Sequence, residues 1–326
     1  MTLTELKYIV AVAREKHFGK AAEACHVSQP TLSVAIKKLE EELEVKLFER
    51  NASEVTVTPL GEEIIRQAQG VLEQADGLRE IAKRGKDPLA GALRLGVIYT
   101  IGPYLLPDLV RQAIERHRQM PLILQENFTV KLLEQLRTGE IDCAILAEPF
   151  PDTNLAIAPL YDEPFVAAVP STHAWARRSR IRAEDLKNET MLLLGNGHCF
   201  RDHVLEVCPE FARFSSTAEG IRKSFEGSSL ETIKHMVAAG MGVTLLPRLS
   251  VPQGALREAV ATGRKPKAAA AGQEGRSFVT YLPFEGHVPS RRVVLAWRRS
   301  FTRYEAIAAL RNSIYACELP GVTRLS

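Results

Sequence analysis

The sequence has no segment that reads as a leader or a membrane span. Its opening, MTLTELKYIVAV, lacks the basic flank, long apolar core and small-residue cleavage site of a signal peptide, and no apolar run approaches the roughly 18 residues a spanning helix needs. These absences predict a cytoplasmic protein without a membrane partner. A dominant charge is missing as well: 42 Lys and Arg stand against 39 Asp and Glu, and the formal net charge of +3 is too small to argue for a partner by itself. Cysteine is scarce, with five residues at Cys25, Cys143, Cys199, Cys208 and Cys317. A chain of 326 residues buries a normal core without disulfide staples, and in a reducing compartment the five should rest as thiols. A paired cysteine motif therefore points to metal binding or redox chemistry. There is no internal repeat, and the short KPKAAAAG stretch is the only low-complexity tract.

What is present begins with helices. Thr2 followed by Glu5 reads as a capping box, with Leu3, Leu6, Ile9, Val10 and Ala13 at helical spacing. Phe18, Ala21, Ala22 and Cys25 make a second short helical pattern, broken at His26-Val27-Ser28. A third starts with Ser28 as N-cap and Pro30 in its first turn, and carries Leu32, Ile36, Leu39 and Leu43 on one face. The sum is a helix-turn-helix, followed at Val55 and Val57 by a small hairpin or wing. The outward residues of the third helix, Gln29, Thr31, Ser33, Lys37 and Lys38, are polar, as a major-groove helix requires. Residues 1–60 hold eight Lys and Arg against nine Asp and Glu, so DNA binding requires the bases to be gathered on one face; a helix-turn-helix used only for packing is the alternative. From Glu62 to Lys83, Ile64, Ala68, Val71, Ala75, Leu78 and Ala82 recur at spacings of 4, 3, 4, 3 and 4. That is a heptad seam wanting a partner helix, with one long helix packed on its own domain as the alternative. Arg84-Gly85-Lys86-Asp87-Pro88 supplies a hinge.

Beyond the hinge, strand-like and helix-like patterns alternate: LRLGV, Leu105 to His117, LILQEN, Val130 to Thr138, then DCAILA. Such alternation implies a parallel sheet with covering helices. A second unit from about Phe165 has MLLLG as a buried strand, LETIKHMVAAG as a helix ended by Gly240 and GVTLLP as the next strand, while RRVVLAW is expected to return to the first unit. Tyr99-Thr100-Ile101-Gly102, Thr129 and Gly197-His198-Cys199 each follow a strand at a turn into a helix. In open parallel sheets such turns meet at the carboxyl edge, so two hydroxyls from one unit and a thiol from the other could face one cleft. Helix capping is the alternative role for a lone Thr.

The segment GHCFRDHVLEVC concentrates reactive side chains. Cys199 precedes DHVLEV, which Pro209 stops, and so lies near a helix N-terminus with His198 and Arg201 beside it. A helix dipole, a guanidinium and an imidazole all favour thiolate, the form that attacks a peroxide oxygen. The sulfenic acid left on Cys199 could condense with Cys208 to a disulfide. Nine residue steps separate the two cysteines; if helical they span about 13 Å, against at most about 7 Å between the α-carbons of a disulfide, so the helix must unwind for the bond to form. Two other readings stay open at this point: a thiophilic metal held by His198, Cys199, His203 and Cys208, whose spacings of 1, 4 and 5 match no usual zinc knuckle, and two cysteines packed as small hydrophobes.

The stretch FGKAAEACHVSQPTLSVAIKKLEEELEVKLFER resembles the N-terminal signature of LysR-type transcriptional regulators, and the resemblance extends over essentially the whole chain. It implies an α/β protein with a winged helix-turn-helix DNA-binding domain over residues 1–61, a linker helix for dimerisation and hinge over 62–88, a two-lobed, periplasmic-binding-protein-like α/β regulatory domain over 89–305 (lobe I about 89–164 and 266–305, lobe II about 165–265) and a C-terminal tail over 306–326. The family's DNA-contacting positions fall on Gln29, Pro30, Thr31, Ser33, Val34 and Lys37. Arg50-Asn51-Ala52-Ser53-Glu54 departs from the pattern, because the family wing usually carries Arg or Lys there for minor-groove and phosphate contacts. The GHCxRDxxxxxC segment and SSLETIKHMVAAGMGVTLLP resemble the peroxide-sensing members of the family. That resemblance implies a peroxidatic Cys199, a resolving Cys208, peroxide-handling hydroxyls on Thr100 and Thr129 with His198, Arg201 and Asp202 adjoining, and a supporting arginine at Arg292. It further implies an activator of antioxidant genes that is not an enzyme and uses no cofactor or metal. Its partners would be double-stranded promoter DNA, hydrogen peroxide as signal, RNA polymerase, a resetting thiol reductant, and copies of itself in a homodimer or homotetramer. The rival functions are a family member answering a small organic effector in the interlobe cleft, and a thiol peroxidase. Cys25, Cys143 and Cys317 are expected to be packing thiols.

Overall fold

The computed structural model describes residues 1–50, 55–83, 89–151, 154–208, 224–227, 229–256 and 278–325. Helix α1 (Leu3–Glu15) is started by a reciprocal cap: the Glu5 N–H donates to Thr2 Oγ1 at 3.2 Å and the Thr2 N–H donates to the Glu5 carboxylate at 2.7 Å. Helix α2 (Phe18–Ala24) is capped by His17, whose Nδ1 accepts from the Gly19 and Lys20 N–H groups. Helix α3 (Gln29–Leu43) is capped by Ser28 with Pro30 in its first turn. Leu6, Ile9, Val12, Ala21, Leu32, Ile36 and Leu39 form one core between the three. The wing is an antiparallel ribbon of β1 (Phe48–Arg50) and β2 (Val55–Val57). Its Asn51-Ala52-Ser53-Glu54 turn lies outside the described residues, as does the hinge at 84–88.

Helix α4 (Pro59–Lys83) does not present the expected seam as one continuous strip. Ile65 and Ala68 are buried in the core of the three small helices, because α4 lies along α1. Ile64 and Ala75 are half-buried, while Val71 and Leu78 are 38% and 69% exposed. The Ala82 side chain lies outside the described set. Midway along, Glu73 forms an ion pair with Arg298 and accepts a hydrogen bond from Ser300 Oγ, and Gln74 Nε2 donates to the Ser300 carbonyl at 3.4 Å. The linker helix is thereby fastened to the regulatory region.

That region is built on a mixed sheet: LRLGV, LILQEN and DCAILA pair in parallel as expected, and strands from farther along the chain add antiparallel pairings. Strands β3 (Leu93–Ile98), β4 (Leu122–Asn127) and β5 (Cys143–Glu148) pair in parallel through helices α5 (Gly102–Arg116) and α6 (Thr129–Thr138). Strand β6 (Leu155–Pro170) and the returning β11 (Ser290–Arg298) run antiparallel, giving the order β10-β6-β11-β5-β3-β4 with β10 at Val279–Leu282. The reversed strand is β11: it lies between β5 and β6 and runs antiparallel to both, so β6 itself keeps the direction of β5. Strand β6 is 16 residues long and serves both lobes. Its first part pairs with β11; from Phe165 onward it pairs with β9 (Thr244–Pro247) and β10. Lobe II adds the parallel pair β7 (Met191–Leu194) and β8 (Ser224–Gly227), covered by α7 (Cys199–Val207) and α8 (Leu230–Ala238). Each lobe has its own apolar core. Residues 306–326 are not a tail: α9 (Tyr304–Ala316) buries Ala306, Ile307, Leu310 and Ile314 in the lobe I core, and β12 (Thr323–Arg324) pairs with β6. The apolar residues of IAALRNSI at helical spacing need that face covered.

Candidate functional site

Three turns at strand ends converge where the lobes meet. Thr100 follows β3, Thr129 opens α6, and Gly197-His198-Cys199 lead from β7 into α7. With Ile98, Tyr99, Asn127 and Phe128 they line a cavity of about 10 Å³, close to the smallest space that holds one water-sized molecule. Thr100 and Thr129 are buried at 3% and 7% exposure. Thr129 Oγ1 has no hydrogen-bond partner among the described residues. Cys199, the first residue of α7, is partly exposed and packs against the lobe I core although it belongs to lobe II. His198 is its N-cap residue and caps through backbone only; its ring stands edge to face with Phe128 and Tyr99.

Behind Thr100 lies a buried ion pair, and it corrects the choice of arginine. Arg291 Nη1 donates to Thr100 Oγ1 at 2.7 Å and Nη2 to the Thr100 carbonyl at 3.0 Å, while Nε donates to Glu163 Oε2 at 2.9 Å. Neither Arg291 nor Glu163 is more than 1% exposed at its side chain. Arg291 also lies over the Phe200 ring at 5.3 Å. Arg292, the expected supporting arginine, points the other way and pairs with Asp162 near the surface at 2.9 Å. The reason is the pleat: β11 pairs Arg291 with Glu163 and Arg292 with Asp162, and successive strand residues face opposite sides. Arg201 and Asp202 do not line the cavity either. The buried Arg201 side chain donates to the Leu194 carbonyl at 3.0 Å, tying α7 to the end of β7, and Asp202 is exposed.

Cys208 follows α7 and is 1% exposed within the lobe II core, its Sγ 3.8 Å from the Ala183 carbonyl. The two cysteines are therefore separated by an intact helix, about 13 Å of rise at 1.5 Å per residue, and both are free thiols. Among the described residues no group of His, Cys, Asp and Glu is arranged to hold a metal. His203, in the middle of α7, donates Nε2–H to the Glu148 carbonyl at 2.8 Å across to lobe I. Burial pushes its pKa below the ordinary histidine value, which keeps it neutral. Burial pushes the other thiols up: Cys25 is raised, Cys143 is raised strongly, and Cys317 lies at about 12. None of the three offers a thiolate near neutrality.

On the DNA-binding candidate, α3 turns Leu32, Ile36 and Leu39 inward and leaves Gln29, Pro30, Thr31, Val34 and Lys37 exposed, with Ser33 half-buried. Thr31 is also drawn into the cap, its hydroxyl 2.7 Å from Ser28 Oγ, and Lys37 pairs loosely with Glu41 at 3.7 Å.

Residues 3–62 match the family model for bacterial regulatory helix-turn-helix proteins of the lysR family, and residues 86–271 match that for the LysR substrate binding domain. The chain is 38% identical over 311 residues to the hydrogen peroxide-inducible genes activator of Dickeya chrysanthemi, with 94% of each chain covered. It is also 38% identical, with the same coverage, to the DNA-binding transcriptional dual regulator OxyR of Escherichia coli K12. Similar solved structures include a full-length cysteine-to-aspartate variant of OxyR from Pseudomonas aeruginosa, with a TM-score of 0.75 and 48% identity over 98% of this chain and 96% of that one. A hydrogen-peroxide-bound cysteine mutant of Corynebacterium glutamicum OxyR gives a TM-score of 0.61 and 31% identity over 97% and 92%.

Proposed function

Since the chain belongs to the LysR family of bacterial helix-turn-helix regulators, we propose that it is a transcription activator whose signal is hydrogen peroxide, read by the thiol of Cys199. The observation that carries this reading is the cavity: it brings a thiol and two buried hydroxyls together around a space of about 10 Å³, far below the roughly 300–1,000 Å³ of sites for organic ligands. That size speaks against an organic effector at this point of the cleft. In the proposed reaction the Cys199 thiolate attacks one peroxide oxygen. The S–O bond forms as the O–O bond breaks, and the departing oxygen takes a proton and leaves as water. Because Arg291 donates to Thr100 Oγ1, the Thr100 hydroxyl proton is directed elsewhere and is free to donate to the departing oxygen, while Thr129 Oγ1 is unengaged and suited to hold the peroxide. Cys208 then attacks the sulfenic sulfur, water leaves, and a disulfide forms after α7 unwinds.

In this reading α3 enters the major groove of double-stranded promoter DNA through Gln29, Pro30, Thr31, Ser33, Val34 and Lys37, and the exposed Val71 and Leu78 of α4 join two copies as the unit of a homodimer or homotetramer. The protein acts in the cytoplasm, contacts RNA polymerase, and is reset by a thiol reductant. It is oxidised once per event and does not turn peroxide over as an enzyme does. The test is quenched alkylation and mass spectrometry of the full chain after a substoichiometric peroxide pulse, with operator footprinting on the same samples. Cys199 is expected to oxidise first and the footprint to change; Cys199→Ser abolishes both, and Cys208→Ser leaves sulfenic acid with a weakened or short-lived change. Oxidation of Cys199 no faster than that of Cys25 would return the site to packing and favour the organic-effector regulator.

A further inference from the structure

Ile98 and the two hydroxyls, Thr100 backed by the Arg291–Glu163 pair, form the buried side of the cavity; rings stand on its other side. Tyr99 is 41% exposed and Phe128 37%, whereas Ile98, Thr100 and Thr129 are buried. The ring centroids of Tyr99 and Phe128 lie 5.2 Å apart, those of Phe128 and His198 4.8 Å, and those of Tyr99 and His198 6.0 Å, all edge to face. The trio is drawn from both lobes, two rings from turns of lobe I and one from the turn that leads into α7. Lobe II makes room for it at one residue. Gly197 has φ of +95° and a Cβ there would stand 3.3 Å from the Phe128 ring, so the turn is cut back to the backbone where the ring lies over it.

We propose that Tyr99, Phe128 and His198 form a size gate over Cys199 that admits hydrogen peroxide and holds out hydroperoxides carrying an alkyl or aryl group, which makes Tyr99 and Phe128 specificity-determining residues for oxidation of the thiol. The inference rests on the peroxide-sensing reading and adds to it which peroxides are read. The chemistry at sulfur is the same for every ROOH: the thiolate takes the distal oxygen, the O–O bond breaks, and the departing RO⁻ gains a proton and leaves as ROH, so that sulfur is oxidised and the peroxide reduced. Only the R group differs. Its place is outward, through the rings, because the inner walls are the filled core behind Ile98 and the engaged Thr100, and the cavity of about 10 Å³ has no volume left for carbon. A neutral alkyl or aryl group offers no charge to reject, so discrimination is steric and is removed by removing a ring.

The experiment measures the rate of Cys199 oxidation in the full-length protein by quenched alkylation, with hydrogen peroxide and with cumene hydroperoxide, and reads the ratio of the two rates. Phe128→Ala is expected to shift that ratio toward cumene hydroperoxide by on the order of tenfold or more, the scale of steric discrimination in a pocket. Tyr99→Ala shifts it in the same direction, and Tyr99→Phe, which keeps the ring, restores the parental ratio. Should Phe128→Ala not fold, Phe128→Leu gives an intermediate shift. Ratios that stay at the parental value, because both rates move together or neither moves, overturn the gate and make the rings a packing contact between lobes. A parent protein whose Cys199 does not react with hydrogen peroxide overturns the peroxide reading itself, a different result from an unchanged ratio.

Discussion

Two adjacent arginines of the same charge and length occupy opposite sides of one strand, and their environments call for opposite outcomes on removal. Arg291→Ala leaves the Glu163 carboxylate buried at 1% exposure without its partner, a change that costs about 3–5 kcal/mol, and it frees Thr100 as well. Arg292→Ala breaks a solvent-screened pair whose side chains are 50% and 30% exposed, and is expected to leave stability close to the parent's. Urea unfolding of the two variants checks this, and equal losses would contradict the placement. The sequence shows both members of each pair, Asp162-Glu163 and Arg291-Arg292, but not which faces the cleft, because both acid–base registers look alike until the strands are aligned. Cys199 and the two threonines were legible for a different reason: each stands where a strand turns into a helix, and such turns gather at one edge of a sheet. Tyr99 and Phe128 were in those same turns and went unread as site residues, since an aromatic side chain carries no chemical signal until a neighbouring ring is known.

At the scale of elements, the caps were readable because they are local. Thr2 with Glu5, and Ser28 with Pro30, specify helix starts within four residues, and the structure places α1 and α3 where they say. The heptad pattern of α4 carries less information, for an apolar helix face does not say whether its cover comes from the same chain or another. Here the same chain covers Ala68 and leaves Val71 and Leu78 exposed, the residues assigned to the proposed dimer. Leu78→Asp, at a residue 69% exposed in the single chain, is expected to leave the small-helix core folded while the proposed dimer dissociates already at higher protein concentration than the parent's in sedimentation. Ala68→Asp, 4% exposed, puts an unpaired charge into that core and is expected to lower its thermal stability sharply. An unchanged dimer in Leu78→Asp would remove α4 from the interface. The antiparallel insertion of β11 between β5 and β6 and the burial of α9 were not legible, because both depend on partners far along the chain.

For the whole molecule, strand β11 links the two ends of the proposed switch. Arg291 near its start holds Thr100 and Arg298 at its end holds Glu73 of the linker helix. Glu73→Gln is expected to leave the rate of Cys199 oxidation as in the parent and to shrink the difference in operator affinity between reduced and oxidised protein, within the 5–150-fold that couplings of about 1–3 kcal/mol represent. An unchanged difference, measured by fluorescence anisotropy on the operator, would show that the signal leaves the regulatory region by another route. The placement of Cys208 has a separate consequence. Its side chain is 1% exposed in the lobe II core, and α7 is tied to lobe I through His203. In the proposed cycle the disulfide forms only when both are given up, so the free energy that folds α7 is subtracted from the stability of the bond and places it among the easily reduced disulfides. The folded helix then acts as an eraser: the record of an oxidant pulse lasts only while reductant is scarce, and every substitution that packs Cys208 more tightly shortens the memory.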